Sequence, residues 1–103
     1  MEGEKIYHTS KGDIFTTIYD IIELQSGNMI LSDTARGLIY FKLTMYGYNW
    51  ELMYTITEIG YEKSKVALRL IGDRHDKAQE IRREFALLEI MLGGGADVKI
   101  IES

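Results

Sequence analysis

The sequence has no cysteine and no proline among its 103 residues. Without cysteine there can be no disulfide, no thiolate nucleophile, no cysteine-ligated zinc and no iron–sulfur cluster. The longest uninterrupted apolar runs are about four residues, far below the ~20 that a membrane-spanning helix needs. No apolar stretch typical of a signal peptide follows the first five residues, Met-Glu-Gly-Glu-Lys. We therefore expect a cytoplasmic protein that does not bind a membrane.

The composition is that of an ordinary globular domain. Hydrophobic residues make up 46% of the chain and charged residues 27%, and the net charge is −4. A chain of this length usually forms one domain and can bury one core without disulfides. Because we find no repeat, low-complexity tract or linker, we predict a single domain over residues 1–103. Residues 92–103 form its glycine-rich cap and a short terminal strand or tail.

The first predicted helix covers residues 11–25, after a short predicted strand over residues 4–9. Ser10 can cap this helix through the Asp13 amide, and Asp13 also favours the positive end of the helix dipole. Apolar residues then recur at spacings of three and four, which places them on one helix face. They are Ile14, Phe15, Ile18, Ile21 and Ile22. We expect Gly27 to supply the left-handed residue that ends the helix.

Between residues 28 and 72 the apolar residues alternate, as in strands with one buried face. Strands are predicted over 29–35, 38–46, 50–59 and 65–71, with turns at 36–37, 46–49 and 60–64. The predicted inner residues are Ile39, Phe41, Leu43, Met45, Trp50, Leu52, Tyr54, Ile56, Val66, Leu68 and Leu70. The residues between them point outward, among them Tyr40, Lys42, Thr44, Glu51, Met53, Thr55, Lys65, Ala67 and Arg69.

A second helix is predicted over residues 77–92. Asp76 and Gln79 have the spacing of a capping pair. The apolar stripe of the helix consists of Ala78, Ile81, Phe85, Leu88 and Leu92. Three glycines, residues 93–95, end the helix, and Val98, Ile100 and Ile101 suggest a last short strand or a tail on a sheet edge.

This element order, β-α-β-β-β-β-α with an optional final β, predicts an α+β fold. Two amphipathic helices would cover one face of a four- to five-stranded antiparallel sheet. The order over residues 4–92 resembles that of the TBP-like and helix-grip families of small α+β domains. Members of these families bind nucleic acid or apolar ligands. The resemblance involves no shared motif, so it implies no functional residue.

No motif predicts catalytic residues, a metal site or a cofactor. The glycines at 93–95 follow a helix, whereas phosphate-binding loops precede one, so we interpret them as a cap. Asp73, His75 and Asp76 are interpreted as a capping turn on a solvated loop. Glu80 and Glu84 are interpreted as helix-face residues, and no spacing pairs two carboxylates across a cleft. An enzyme remains a third alternative, but the sequence favours a non-enzymatic protein.

Basic residues are concentrated in segment 63–83, which carries seven of them against three acidic residues. Within it, Arg74, Lys77, Arg82 and Arg83 are candidate ligands for phosphate or nucleic acid. Five tyrosines and Trp50 lie nearby in residues 40–61 and could stack on bases. The net negative charge opposes this alternative, because nucleic-acid binding usually requires a basic domain.

We predict that the protein is a non-enzymatic interaction or ligand-binding module that forms a homodimer. A ligand would lie between helices and sheet, lined by residues such as Phe15, Met53, Phe85 or Met91. We favour a filled interior, since a chain this short needs these residues for its core. The interface or ligand candidates on the outer sheet face are Tyr40, Lys42, Met53, Thr55, Lys65 and Arg69. Their apolar centre and charged rim resemble a protein–protein interface.

Overall fold

The computed structural model describes residues 2–45, 47–71, 77–93 and 99–102. Six strands and two helices follow one another in the order β1-α1-β2-β3-β4-β5-α2-β6. The strands are β1 (Glu2–Tyr7), β2 (Asn28–Asp33), β3 (Leu38–Met45), β4 (Tyr48–Gly60), β5 (Lys63–Ile71) and β6 (Lys99–Glu102). The helices are α1 (Lys11–Leu24) and α2 (Lys77–Met91).

Helix α1 starts as the sequence predicts and ends differently. Ser10 is its N-cap, and the backbone amide of Asp13 donates to the Ser10 Oγ at 3.2 Å. The left-handed residue at its end is Ser26, with φ 56°, so the assignment of that role to Gly27 was wrong. Gly27 is needed for close packing instead. A Cβ at this position would lie 2.9 Å from Leu43 Cδ2 and 3.0 Å from Ile22 Cγ2.

All six strands join one antiparallel sheet in the order β2-β3-β4-β5-β1-β6. The meander β2 to β5 arises from short connections, and β3 and β4 are joined through residues 46–47 alone. Gly47 has φ 77° in this connection. Strand β1 pairs with the edge of β5 that β4 leaves free, and β6 pairs with the other edge of β1. The predicted terminal strand therefore adds a sixth strand to the sheet.

Alternation divides the sheet into two faces as predicted. The described inner side chains of β3, β4 and β5 are all buried, from Trp50 at 7% exposure to Ile39 and Leu68 at 0%. The predicted inner residue Met45 lies outside the described side chains. The outward positions are half-buried or exposed. The pleat alone thus determines which side chains enter the core.

Both helices pack on the inner face and complete the core. Five apolar residues of α1 are buried, and Ile81, Phe85 and Leu88 of α2 join them. Gly3 allows α2 to approach β1, because a Cβ there would lie 2.7 Å from Ile81 Cγ2. The predicted α+β fold, with two helices on one face of an antiparallel sheet, is confirmed. The capping role of Asp76 and the glycines at 94–95 lie outside the described residues, whereas Gly93 is left-handed with φ 92°.

Candidate functional site

The outer sheet face, defined here as the face opposite the helices, has an apolar centre. Strand register places Leu31 beside Tyr40, Tyr40 beside Met53, and Met53 beside Arg69. The next row consists of Leu38, Thr55 and Ala67. Directly paired residues of antiparallel strands share a face, so their side chains contact one another across the strands.

Charged side chains of both signs surround this centre. Lys42 Nζ lies 3.6 Å from Glu51 Oε1 on the neighbouring strand. Desolvation, together with a hydrogen bond to Glu51 and the negative charge of that residue, raises the pKa of Tyr40. Tyr40 therefore stays neutral and can donate its hydroxyl proton to an acceptor.

The structure places the six outer-face candidates together. They occupy three adjacent strands: Tyr40 and Lys42 in β3, Met53 and Thr55 in β4, and Lys65 and Arg69 in β5. Tyr40, Met53, Thr55 and Lys65 are half-buried, and Lys42 and Arg69 are exposed. Their role in binding remains a prediction.

The basic residues of segment 63–83 do not form one surface. Lys65 and Arg69 belong to the outer sheet face, whereas Arg82 and Arg83 lie on α2, across the sheet. Arg82 is exposed, but Arg83 binds Glu80 at 2.7 Å and Glu84 at 3.1 Å. Arg74 lies outside the described residues, as does the side chain of Lys77. The described part of the segment therefore does not form the basic stripe that nucleic acid requires.

The sequence did not indicate a network of polar side chains that lies between α2 and the sheet, here called the buried polar seam. Glu84 is fully buried and Glu80 is 5% exposed, and their assignment to a helix face did not predict this burial. Glu84 Oε1 accepts hydrogen bonds from Tyr54 Oη at 3.3 Å and Gln25 Nε2 at 3.2 Å. One signal was present: Glu84 stands three residues after Ile81, which places it on the apolar stripe.

Burial controls the ionisation of the seam. Desolvation raises the pKa of Glu84 to about 7, against opposing effects of Gln25, Arg83 and Tyr54 that stabilise the carboxylate. Desolvation and the adjacent Glu84 raise the pKa of Tyr54 well above its usual range. The protonation of Glu84 thus changes near neutral pH.

The seam continues toward the C-terminal end of α2. Lys5 Nζ lies 2.6 Å from Glu89 Oε1 and 5.3 Å from the centre of the Phe85 ring. Tyr7 Oη donates to the same Glu89 oxygen at 3.4 Å. Burial and Glu89 raise the pKa of Tyr7. These contacts join β1 to α2.

The seam holds α2 on the sheet, because most of its polar groups bind one another. Two buried atoms have no hydrogen-bond partner among the described residues, Gln25 Oε1 and Trp50 Nε1.

The four residues suggested to line an internal ligand site do not surround one space. Phe15 and Phe85 are buried in the core, Met91 is 44% exposed, and Met53 lies on the opposite sheet face.

Comparison with known proteins shows no family for this chain. No family model matches it, and no curated protein matches it. Among solved structures, the crystal structure of Ara h 8.0201 is similar over 90% of this chain and 94% of that one, with 12% identity and a TM-score of 0.41. A likeness at this level assigns neither a family nor a ligand. Neither of the described helices is long and apolar enough to cross a membrane.

Proposed function

We propose that the protein is a small interaction module that forms a homodimer through its outer sheet face. The observation that supports this proposal is the row formed by Leu31, Tyr40 and Met53, which runs across three strands on the face that the helices leave uncovered. An apolar centre with a charged rim is the usual anatomy of a protein interface.

The size of the face suits a symmetric pair. Six strands at ~4.8 Å spacing, with about eight residues each at ~3.3 Å, span roughly 24 by 26 Å. The flat area of this face, about 620 Å², lies at the lower end of the roughly 600–1,000 Å² that each partner buries in a standard interface, so contact over the whole sheet is required. A second copy presents a face of equal size, and two-fold pairing is the commonest solution for homo-oligomers.

The charges of the face also allow self-pairing. Its rim carries Lys42, Lys65 and Arg69 together with Glu4 and Glu51, so both signs are present on one surface. In a two-fold dimer, a residue away from the symmetry axis lies opposite a different residue of the partner's outer face. Basic positions of one copy can therefore lie opposite acidic positions of the other.

A homodimer accounts for more of the structure than either ligand binding or nucleic-acid binding does. Ligand binding between helices and sheet would require space in a region where Phe15 and Phe85 are 4% and 2% exposed. Nucleic-acid binding would require basic residues that the sheet separates. Among the described surfaces, the outer face combines an apolar centre with a charged rim on the side that the helices leave uncovered.

The test is the double variant Tyr40→Glu with Met53→Lys, which leaves the net charge unchanged. Sedimentation velocity at increasing concentration should show a wild-type dimer and a folded monomeric variant. The matched control is Thr16→Glu with Ala86→Lys, because both residues are exposed on the helices, and it should remain dimeric. A wild-type monomer at high concentration would refute the homodimer. A dimer that survives in the outer-face variant would show that another surface forms the interface.

A further inference from the structure

Exposed apolar side chains are concentrated at one edge of the molecule. Four of the eight large hydrophobic residues that the described structure exposes fall within eight positions: Leu24, Met29, Ile30 and Leu31, with exposures of 65%, 38%, 45% and 48%. They lie at the end of α1 and in β2. Exposed apolar side chains grouped in this way mark an interaction site or an aggregation risk.

Strand β2 is also an edge of the sheet. It pairs with β3 and with no other described strand, and five of its six residues are exposed. Backbone amide and carbonyl groups along such an edge can accept another strand. Natural proteins usually protect edges with charge, yet the middle of β2 is Met-Ile-Leu.

The edge is nevertheless held in a defined shape. Register shifts between Met29, opposite Phe41, and Leu31, opposite Tyr40, so Ile30 forms a bulge. The hydroxyls of Tyr19 and Ser32 are hydrogen-bonded, which ties β2 to α1. Because β2 is already ordered, its backbone loses little conformational entropy when a partner strand pairs with its free edge, which favours binding.

The charge around the edge indicates what it can accept. Residues 12–35 contain no lysine, arginine or histidine, and they carry Asp13, Asp20, Glu23 and Asp33. Three of these acidic residues, at positions 13, 20 and 23, are exposed on α1. Arg36, which follows the segment, lies 3.6 Å from Asp33. A strand arriving at this edge thus meets apolar side chains within a negative field.

We propose that β2 is a docking edge for an extended segment of a partner protein that carries apolar side chains and lysine or arginine. The segment adds as a strand beside β2, its backbone pairs with the free edge, and its basic residues face the acidic surface of α1. A second copy of this chain is disfavoured as the occupant, because pairing β2 with itself would bring two acidic segments together. The docking edge shares Leu31 with the outer-face row, but it uses the free backbone edge of β2, whereas the homodimer uses the sheet face, so the two proposals are tested separately.

The probe is a fluorescent eight-residue peptide of alternating lysine and valine, titrated by fluorescence anisotropy. We expect binding that weakens at least tenfold between 50 and 300 mM salt, since exposed charges are screened over ~10 Å at 0.1 M. A peptide with the same charge and prolines in place of valines should bind at least tenfold more weakly, because proline cannot donate to a strand pair. Equal binding of the two peptides, or no binding of either, would overturn the proposal.

Variants and amide exchange locate the site. Ile30→Lys should reduce peptide binding at least tenfold, whereas Thr57→Lys, the matched control on the exposed end of β4, should reduce it less than threefold. In the wild-type protein the peptide should slow the hydrogen exchange of amides within 28–33, a readout that needs no variant. Protection elsewhere, or self-association that Ile30→Lys abolishes, would contradict the proposed occupant.

Discussion

The Tyr54 hydroxyl donates a hydrogen bond to the Glu84 carboxylate at 3.3 Å, in the layer between the sheet and α2. Both residues are fully buried. Gln25, the C-cap of α1, and Arg83, the neighbouring residue on α2, bind the same carboxylate. The Glu84 side chain therefore connects α2 to β4 and to the end of α1. The stability of the fold therefore depends on the charge of Glu84.

Stability should decrease as pH rises through the range from 4.5 to about 7. The ordinary pKa of Glu84 is 4.5, and burial raises it to about 7 in the folded state. Below this range both states hold the proton. Within it only the folded state does, so the free energy of unfolding falls with pH by up to about 3 kcal/mol, at ~1.4 kcal/mol per pKa unit.

The variant Glu84→Gln isolates this effect. It should remove the decrease between pH 5 and 8 and be the more stable protein at pH 8, with Arg83 still bound to Glu80 at 2.7 Å. Urea denaturation at several pH values measures the difference from wild type. Glu58→Gln, at an exposed carboxylate, is the control and should retain the wild-type profile. Parallel profiles for wild type and Glu84→Gln would show that Glu84 titrates normally.

Phe85→Ala should cost about 3–5 kcal/mol, a large part of the stability of a typical domain. Phe85 belongs to α2 and is 2% exposed. Its ring lies between the helix and the sheet, close to Lys5 and Gly3 of β1. The change removes the ring and leaves a cavity in the centre of the core. Chemical denaturation provides the measurement, and Ala86→Ser, at the exposed neighbouring position, provides the control. A loss below ~1 kcal/mol with the fold unchanged would contradict the central position of Phe85.

Gly37→Ala and Gly47→Ala should differ, although the two backbones are alike. Their φ angles are 73° and 77°, so both substitutions impose the cost of a left-handed residue, ~1 kcal/mol. At Gly37 the new Cβ would also lie 2.1 Å from the Ile56 carbonyl oxygen, whereas at Gly47 nothing lies within 4 Å. Thermal unfolding should therefore show a clearly larger loss for Gly37→Ala. Equal losses of stability in the two variants would show that the turn at Gly37 moves to make room for the new Cβ at no cost in free energy.

Alternation and helical spacing were sufficient to predict the fold and its two faces. In β3 to β5 every second residue is apolar, and a pleated strand has no other way to place such a set against a core. The caps were less predictable. Ser10 was identified because its oxygen and the Asp13 amide are close in sequence, whereas the left-handed residue is Ser26, which ordinary preference would not select over Gly27.

The candidate sites depended more on the tertiary structure. Spacing along each strand was enough to assign Tyr40, Met53 and Arg69 to the outer face, but only the register showed that they form one row. A strand of the meander was predicted over residues 29–35, and β2 covers Asn28–Asp33. The exposure of these residues could not be predicted, because whether a strand lies at an edge depends on the order of strands in the sheet.

The sequence by itself determined the periodicities, and through them the elements and the faces that each element buries. Only the tertiary structure decided which polar groups meet. Glu84 carries a charge that local patterns assign to solvent, yet it lies on the stripe between Ile81 and Leu88 and is buried with Tyr54, Gln25 and Arg83. Arg83 is its neighbour on α2, but Tyr54 comes from β4 and Gln25 from the C-cap of α1, and no local pattern encodes their approach. A buried charge is tolerated only where such partners converge, which is a property of the assembled fold.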